Sequence, residues 1–178
     1  MAKAGASFVS ITQSFNTTTS MGRLMLNVLL SFAQFEREVT GERIRDKIAA
    51  SKAKGMWMGG IPPLGYRPQG RTLVVIEEHA ALARTIFERY RKLGNVRLVA
   101  ESLKADELHS PKRKTATGKT YGGGPFHRGQ LYDILRNPVY IGRILHRGQQ
   151  HEGQHAGIID PALWEAVQRQ LAGHVRGT

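Results

Sequence analysis

Residues 19–55 read TSMGRLMLNVLLSFAQFEREVTGERIRDKIAASKAKG, and the fold turns on how this stretch is interpreted. Met21, Met25, Val28, Phe32, Phe35 and Val39 recur at alternating spacings of four and three, the seam of a heptad helix. Leu24, Leu26, Leu29, Leu30 and Ala33 widen that apolar face beyond a narrow stripe. The polar run before Met21 supplies Thr and Ser side chains suited to capping a helix start. Gly55, preceded by lysines, supplies the stop. One helix from Met21 to Lys54 would run roughly 50 Å at about 1.5 Å per residue, with Gly41 a place where it could bend. Met21, Met25, Val28, Phe32 and Phe35 are the candidate interface with a second copy of the chain.

The character of the helix changes after Phe35. Apolar positions thin out and charge crowds in. Glu36 and Arg43 stand seven residues apart on one face, and Glu42 adjoins Arg43. On pattern alone this is either the solvated end of a dimeric coiled coil or a site handling a phosphodiester. Guanidinium groups suit the second because they bind phosphate oxygens in pairs and never deprotonate. Arg45, Lys47, Lys52 and Lys54 continue the basic character toward Gly55.

Composition narrows the partner. The chain has 178 residues, 40% of them hydrophobic, which is globular and enough for one ordinary domain plus an appendage. Twenty-six Lys and Arg against 14 Asp and Glu leave a formal charge of +12, a surplus that favours a polyanion. No apolar run is long enough to span a membrane, and the opening MAKAGASFVS has neither the apolar core nor the cleavage site of a secretory signal. A cytoplasmic protein without a membrane partner is the expectation. The absence of cysteine rules out disulfides and thiolate metal sites.

Before the helix, FVSITQS alternates like a short strand. After it, GMWMGGIPPLGYRPQGR breaks both helix and central strand, and residues 56–71 read as an extended arm. It is either a plain linker or a segment lying in a DNA minor groove, with Arg67 as its contact. Residues 72–178 then form a basic mixed domain. TLVVIEEHAALARTIFERYRKLGN predicts a strand and a helix burying Leu82, Ile86, Phe87 and Tyr90, stopped by Gly94 and Asn95. VRLVAESLKAD predicts a second helix. The loop HSPKRKTATGKTYGGG carries Lys112, Arg113, Lys114 and Lys119 without one acid, either solvated or lying along phosphates. PFHRGQLYDILRNPVYIG predicts a third helix with Leu131, Ile134 and Leu135 inward, closing at Asn137–Pro138. Helix, helix, loop, helix fits a helix-turn-helix-like unit, which would turn His127, Arg128, Gln130, Tyr132 and Arg136 toward DNA. It fits equally a small helical domain with a polar outer face.

His151-Glu152-Gly153-Gln154-His155 spells H-E-x-x-H, a zinc-hydrolase pattern when both histidines share one helix face. The flanks argue otherwise. YIGRILH and AGIID alternate like strands, the bridge RGQQHEGQHAG between them is polar with three glycines, and HEGQH reads as the tip of a hairpin. Asp160 and Pro161 start a helix just beyond, with Ile159 and Trp164 placed as a hydrophobic staple. Zinc hydrolysis is kept as a remote alternative, with no metal or cofactor expected.

The stretch from FVSITQSFNTTTSMGRLMLNVLLSFAQFERE to SKAKG resembles the end of the catalytic domain of serine site-specific recombinases, the resolvase, invertase and large integrase family, with its long dimerisation helix. G-G-x-P-P-x-G-Y and L-x-N-P-V-Y-I-G resemble the recombinase domain of the large integrases, so the likeness runs from about Phe8 to Leu171. The resemblance implies an α+β, mainly helical fold in three parts: residues 1–55, 56–71 and 72–178. It implies double-stranded DNA and a second copy as partners. It maps Glu42 and Arg43 onto the family's helix-borne active-site pair, with Glu36 and Arg37 as a weaker match. The nucleophile motif R-x-S and the cluster D-R-x-x-R do not occur, and Ser10 lacks the cationic flank a nucleophile needs. The expectation is the DNA-binding and dimerising part of a recombinase that does not itself cleave. The other reading is a stand-alone DNA-binding protein or a dominant-negative partner of a full recombinase.

Overall fold

A computed structural model describes residues 9–10, 15–16, 19–114, 118 and 120–175. The chain is α+β and mainly helical, divided into two units, residues 1–47 and 48–178. In the first, β1 (Val9–Ser10) pairs antiparallel with β2 (Phe15–Asn16). The rest of the alternating FVSITQS stretch lies outside the described residues.

Helix α1 (Ser20–Ala53) follows. Thr19 caps it, its Oγ1 accepting from the Gly22 amide at 3.0 Å, which satisfies one of the donors a helix start leaves open. The helix continues through Gly41. None of its residues is buried; Phe32 and Phe35 are 64% and 62% exposed. At the far end the Gly55 amide donates to Lys52 O and the Met56 amide to Ser51 O, with Gly55 left-handed at φ 74°. This is a Schellman stop, and only glycine takes that backbone without strain.

The second unit holds the core. Residues 56–71, expected as an arm, are only partly so: β3 (Tyr66–Gln69) pairs with β4 (Thr72–Val75) across the two-residue turn Gly70-Arg71, and Leu64 and Tyr66 are buried. Gly70 has φ 60°, so a left-handed residue lets two strands join where the prolines suggested none. Helix α2 (Glu77–Leu93) buries Ala80, Ala83, Ile86, Phe87 and Tyr90; Leu82, expected inside, is half-buried. Gly94 ends α2 in the left-handed region. Asn95 starts α3 (Val96–Ala105) rather than ending α2, its side chain accepting from the Arg97 amide at 2.8 Å.

The basic loop is a short hairpin, β5 (Arg113–Lys114) against β6 (Thr120–Tyr121). Helix α4 (Arg128–Arg136) buries Leu131, Ile134 and Leu135, and a 3-10 turn, Pro138–Ile141, follows at once. β7 (Arg143–His146) and β8 (Gln149–Glu152) pair antiparallel, and α5 (Pro161–Val175) closes the described chain. Asp160 Oδ1 accepts from the Ala162 and Leu163 amides at 2.8 and 3.3 Å. Ile159 and Trp164 are both buried behind that cap, as a hydrophobic staple requires.

Helix α2 packs on α3, α4 and α5. Phe87 meets Tyr140 and Trp164 with ring centroids 5.5 and 5.7 Å apart. Tyr66 and His155 converge on one acceptor, the Val139 carbonyl oxygen: the Tyr66 hydroxyl lies 3.1 Å from it and His155 Nε2–H donates to it at 2.9 Å.

The H-E-x-x-H stretch is not a hairpin tip, and it is not helical. Its first two residues lie on β8, and the tip is Arg147-Gly148, with φ 48° and 80°, the pair of left-handed residues that a tight antiparallel turn demands. Residues 158–160 do not resume a strand. The Ile158 and Ile159 amides instead both donate to the Tyr140 carbonyl at 2.9 Å. With His155 buried against Val139, the two histidines do not share a helix face, and the zinc-hydrolase alternative loses its geometry.

Candidate nucleic-acid interface

The second unit carries a groove of about 560 Å³ between the arm, the basic hairpin and α4. Trp57, Ile61 and Pro62 line one wall, Arg113 and Tyr121 a second, and His127, Gln130 and Asp133 a third, with Tyr140 also lining it. Burial pushes the Tyr140 phenol well above the usual tyrosine range, so that side chain brings no charge.

Each wall is pinned by its local sequence. Trp57 N–H donates to Arg71 O at 2.7 Å, tying the arm to the β3–β4 turn. Arg113 Nη1 donates to the carbonyls of Pro62 and Pro63 at 2.7 and 3.2 Å. Arg113 was expected to face DNA; in the structure its guanidinium also holds the arm, serving the Pro62 carbonyl and sharing the Pro63 carbonyl with the Tyr66 amide, which donates to it at 3.1 Å. Lys112 and Lys114 flank it, exposed. Lys119 lies outside the described residues.

Helix α4 divides the residues expected along it between two faces. His127 and Gln130 border the groove. Arg128 and Tyr132 line a separate depression with Asn95 and Arg97 at the start of α3. The Arg136 guanidinium lies 5.3 Å from the Tyr132 ring centroid, a cation–π contact. Asp133 was missed, since a search for cations passes over an acid. Its signal was helical spacing, three residues from Gln130 and opposite the buried Leu131–Ile134–Leu135 stripe. Arg67 is exposed on β3.

At the end of α1, Gln154 Nε2 donates to Lys54 O at 2.8 Å, and its amide donates to Gly55 O at 3.0 Å. Lys54 is exposed and Lys52 half-buried. His146 on β7 is held below its ordinary range by lost hydration first, then by the charges of Lys52, Arg147 and His151. In the first unit Glu36, Arg37, Glu42, Arg43, Arg45 and Lys47 are all exposed along α1. Met21, Met25, Val28, Phe32 and Phe35 are exposed there too. Among the described residues no group of three or more His, Asp or Glu is placed to hold a metal, and no helix is long and apolar enough to cross a membrane.

Sequence and structure comparisons fit this arrangement. The Recombinase family model matches residues 77–174, more than half the chain, and the model for the resolvase N-terminal domain matches residues 1–57. The chain belongs to the serine recombinase family. It is 31% identical to the transposon Tn917 resolvase of Enterococcus faecalis over 98 residues, 49% of this chain and 53% of that one. It is 41% identical to the DNA-invertase hin of Salmonella typhimurium over 58 residues, 33% of this chain and 30% of that protein. The match to the serine recombinase gin of Escherichia phage Mu is also 41%, over 59 residues, with shares of 33% and 30%. The chain thus spans about half the length of the first of these relatives and about a third of the others. Among solved structures, one described as "Crystal Structure of a LSR-DNA Complex" aligns with TM-score 0.61 at 17% identity, over 80% of this chain and 41% of that one. A second, from work on the Listeria innocua prophage attP site, aligns with TM-score 0.59 at 18% identity, over 74% and 51%. At those identities the likeness is one of fold.

Proposed function

We propose that this chain is the DNA-binding and dimerisation portion of a serine site-specific DNA recombinase, acting in the cytoplasm on double-stranded DNA. The observation that carries the reading is the groove in the second unit, where arm, basic hairpin and α4 converge. An extended arm fits a minor groove and a short helix fits a major groove. Lys112, Lys114, Arg128 and Arg136 stand exposed to meet phosphates, with Arg67, Lys52 and Lys54 as further contacts. Along α1, the apolar Met21–Phe35 face is the surface for a second copy. Glu42 and Arg43, with Glu36 and Arg37, are the helix-borne part of the strand-exchange site; none of the four has an ion-pair partner among the described residues. Relatives named as resolvases and invertases support recombination as the process served.

A fluorescence-anisotropy titration with duplex DNA across a salt series tests this. Affinity should fall linearly in log–log form as salt rises, and Lys112→Ala and Lys114→Ala should each reduce the slope by about 1. Binding that is absent at low salt, or indifferent to salt, would overturn the reading.

A further inference from the structure

Helix α4 has an outward line of residues whose chemistry does not suit a surface built only for phosphates. Gly129, Asp133 and Arg136 follow one another at helical spacing, opposite the buried Leu131, Ile134 and Leu135. Gly129 has no structural need to be glycine. Its φ is not positive, and a β-carbon there would meet nothing within 4 Å. Gly129 is the second residue of α4, so its cost against alanine is less than the roughly 1 kcal/mol of a helix interior. What it gives here is a lowered outer face, so that the backbone can approach a partner closely.

Asp133, one turn later, is exposed and has no ion pair or hydrogen bond among the described residues. Glu77, Asp106, Glu101 and Glu165 of the unit lie against arginines and Asp160 caps α5, whereas Glu78, Glu88, Glu107 and Glu152 have no ion pair among the described residues. Of the unpaired acids, Asp133 is the one on α4. A free carboxylate between Arg128 and Arg136 repels a phosphate backbone. It therefore weakens binding unless it accepts a hydrogen bond that phosphates cannot offer. In a major groove the donors within reach are the exocyclic amino groups of cytosine and adenine, and the cytosine N4 amino group is the usual partner of an acidic side chain.

We propose that Asp133 is a specificity-determining residue, accepting from a cytosine N4 amino group in the major groove while Gly129 allows α4 to seat deeply enough for that contact. This rests on the DNA-binding reading above.

The test is selection from a pool of randomised duplexes using the full chain, its Asp133→Ala variant and its Asp133→Asn variant. The wild type should select a site containing a preferred cytosine. Asp133→Ala should lose about tenfold discrimination at that position alone, yet bind unselected DNA more tightly, because one repulsive charge is gone. A role in bulk charge only would tighten both. Asp133→Asn should move the preference at that position toward adenine, which an amide can pair at N6 and N7. The same consensus from all three proteins would overturn the proposal. So would salt-sensitive binding by the wild type without any selected sequence, an outcome that leaves the DNA-binding reading standing. Failure of the wild type to bind any duplex would overturn both.

Discussion

Gly55 and Glu152 stand so close that a β-carbon on the glycine would lie 2.1 Å from the Glu152 carbonyl oxygen. Within the second unit, the last turn of α1 therefore seats directly on the strand that leaves the β7–β8 hairpin. Gln154 locks it there through Lys54 O and Gly55 O. Gly55→Ala meets two penalties, left-handed strain of about 1–2 kcal/mol and a clash with backbone that has no room to move. Gly70→Ala meets only the strain, since nothing lies within 4 Å of its β-carbon position. Urea denaturation should show Gly55→Ala lowering the midpoint clearly more than Gly70→Ala. Equal effects would mean that the joint is loose.

The elements with strong periodicity and clear punctuation were readable in the amino-acid order. Helix α1 announced itself by its heptad seam and by Gly55, and α5 by Asp160-Pro161 with its staple. What escaped were features set by one residue in an unusual backbone region or by contacts far apart in the chain. Arg147 at φ 48° is not a residue that local preference places in a tight turn, so the sequence pattern puts the hairpin tip at residues 151–155 and not at Arg147-Gly148. The bond from Arg113 to Pro62 joins positions 51 residues apart, and no local pattern signals it. For that reason the sequence does not show that Arg113, expected along phosphates, also tethers the arm. Asp133 was legible by its spacing from Gln130, but an acid is not among the residue types that a basic, phosphate-binding surface leads one to look for.

That tether predicts how the arm responds to substitution. Arg113→Ala removes two hydrogen bonds from a charged donor, each worth about 1.5–3 kcal/mol in such settings. Arg113→Lys keeps the charge but replaces a planar fork with a single ammonium. Amide hydrogen exchange over residues 57–66 should quicken in both variants and most in Arg113→Ala, with the Tyr66 amide, bonded to Pro63 O, the most sensitive reporter. Exchange unchanged from wild type would show that the proline carbonyls hold the arm without the guanidinium.

His155 ties stability to pH. Burial holds its imidazole below the ordinary value, opposed in part by its bond to Val139 O. In the unfolded chain it takes up a proton near about pH 6.5; in the folded chain it does so only at lower pH. The unfolded state thus binds more protons as pH falls below that value, so the stabilisation is present above about pH 6.5 and is lost as pH drops through the window beneath it. Urea midpoints compared between pH 8 and pH 5 should fall more steeply for the wild type than for His155→Gln, which keeps a donor for Val139 without a titrating group. His146 titrates in both proteins and cancels in the difference. Parallel curves would remove His155 from the account.

The apolar face of α1 gives the most direct test of assembly. Met21, Leu24, Met25, Val28, Leu29, Phe32 and Phe35 are all exposed along one helix, a larger contiguous patch than single chains usually leave in water. Covering it with a second copy would bury several side chains worth about 1.5–3 kcal/mol each, enough to bias the chain toward association at micromolar concentration. Replacing Phe32 and Phe35 with Glu puts two charges in the centre of that seam without touching the core of the second unit. Sedimentation velocity should show the wild type associating and the double variant as a monomer, with the thermal transition of residues 48–178 unchanged. A wild type that sediments as a monomer across the concentration range would deny the helix its role as an interface, and the search for the surface that pairs two subunits would then have to move elsewhere on the chain.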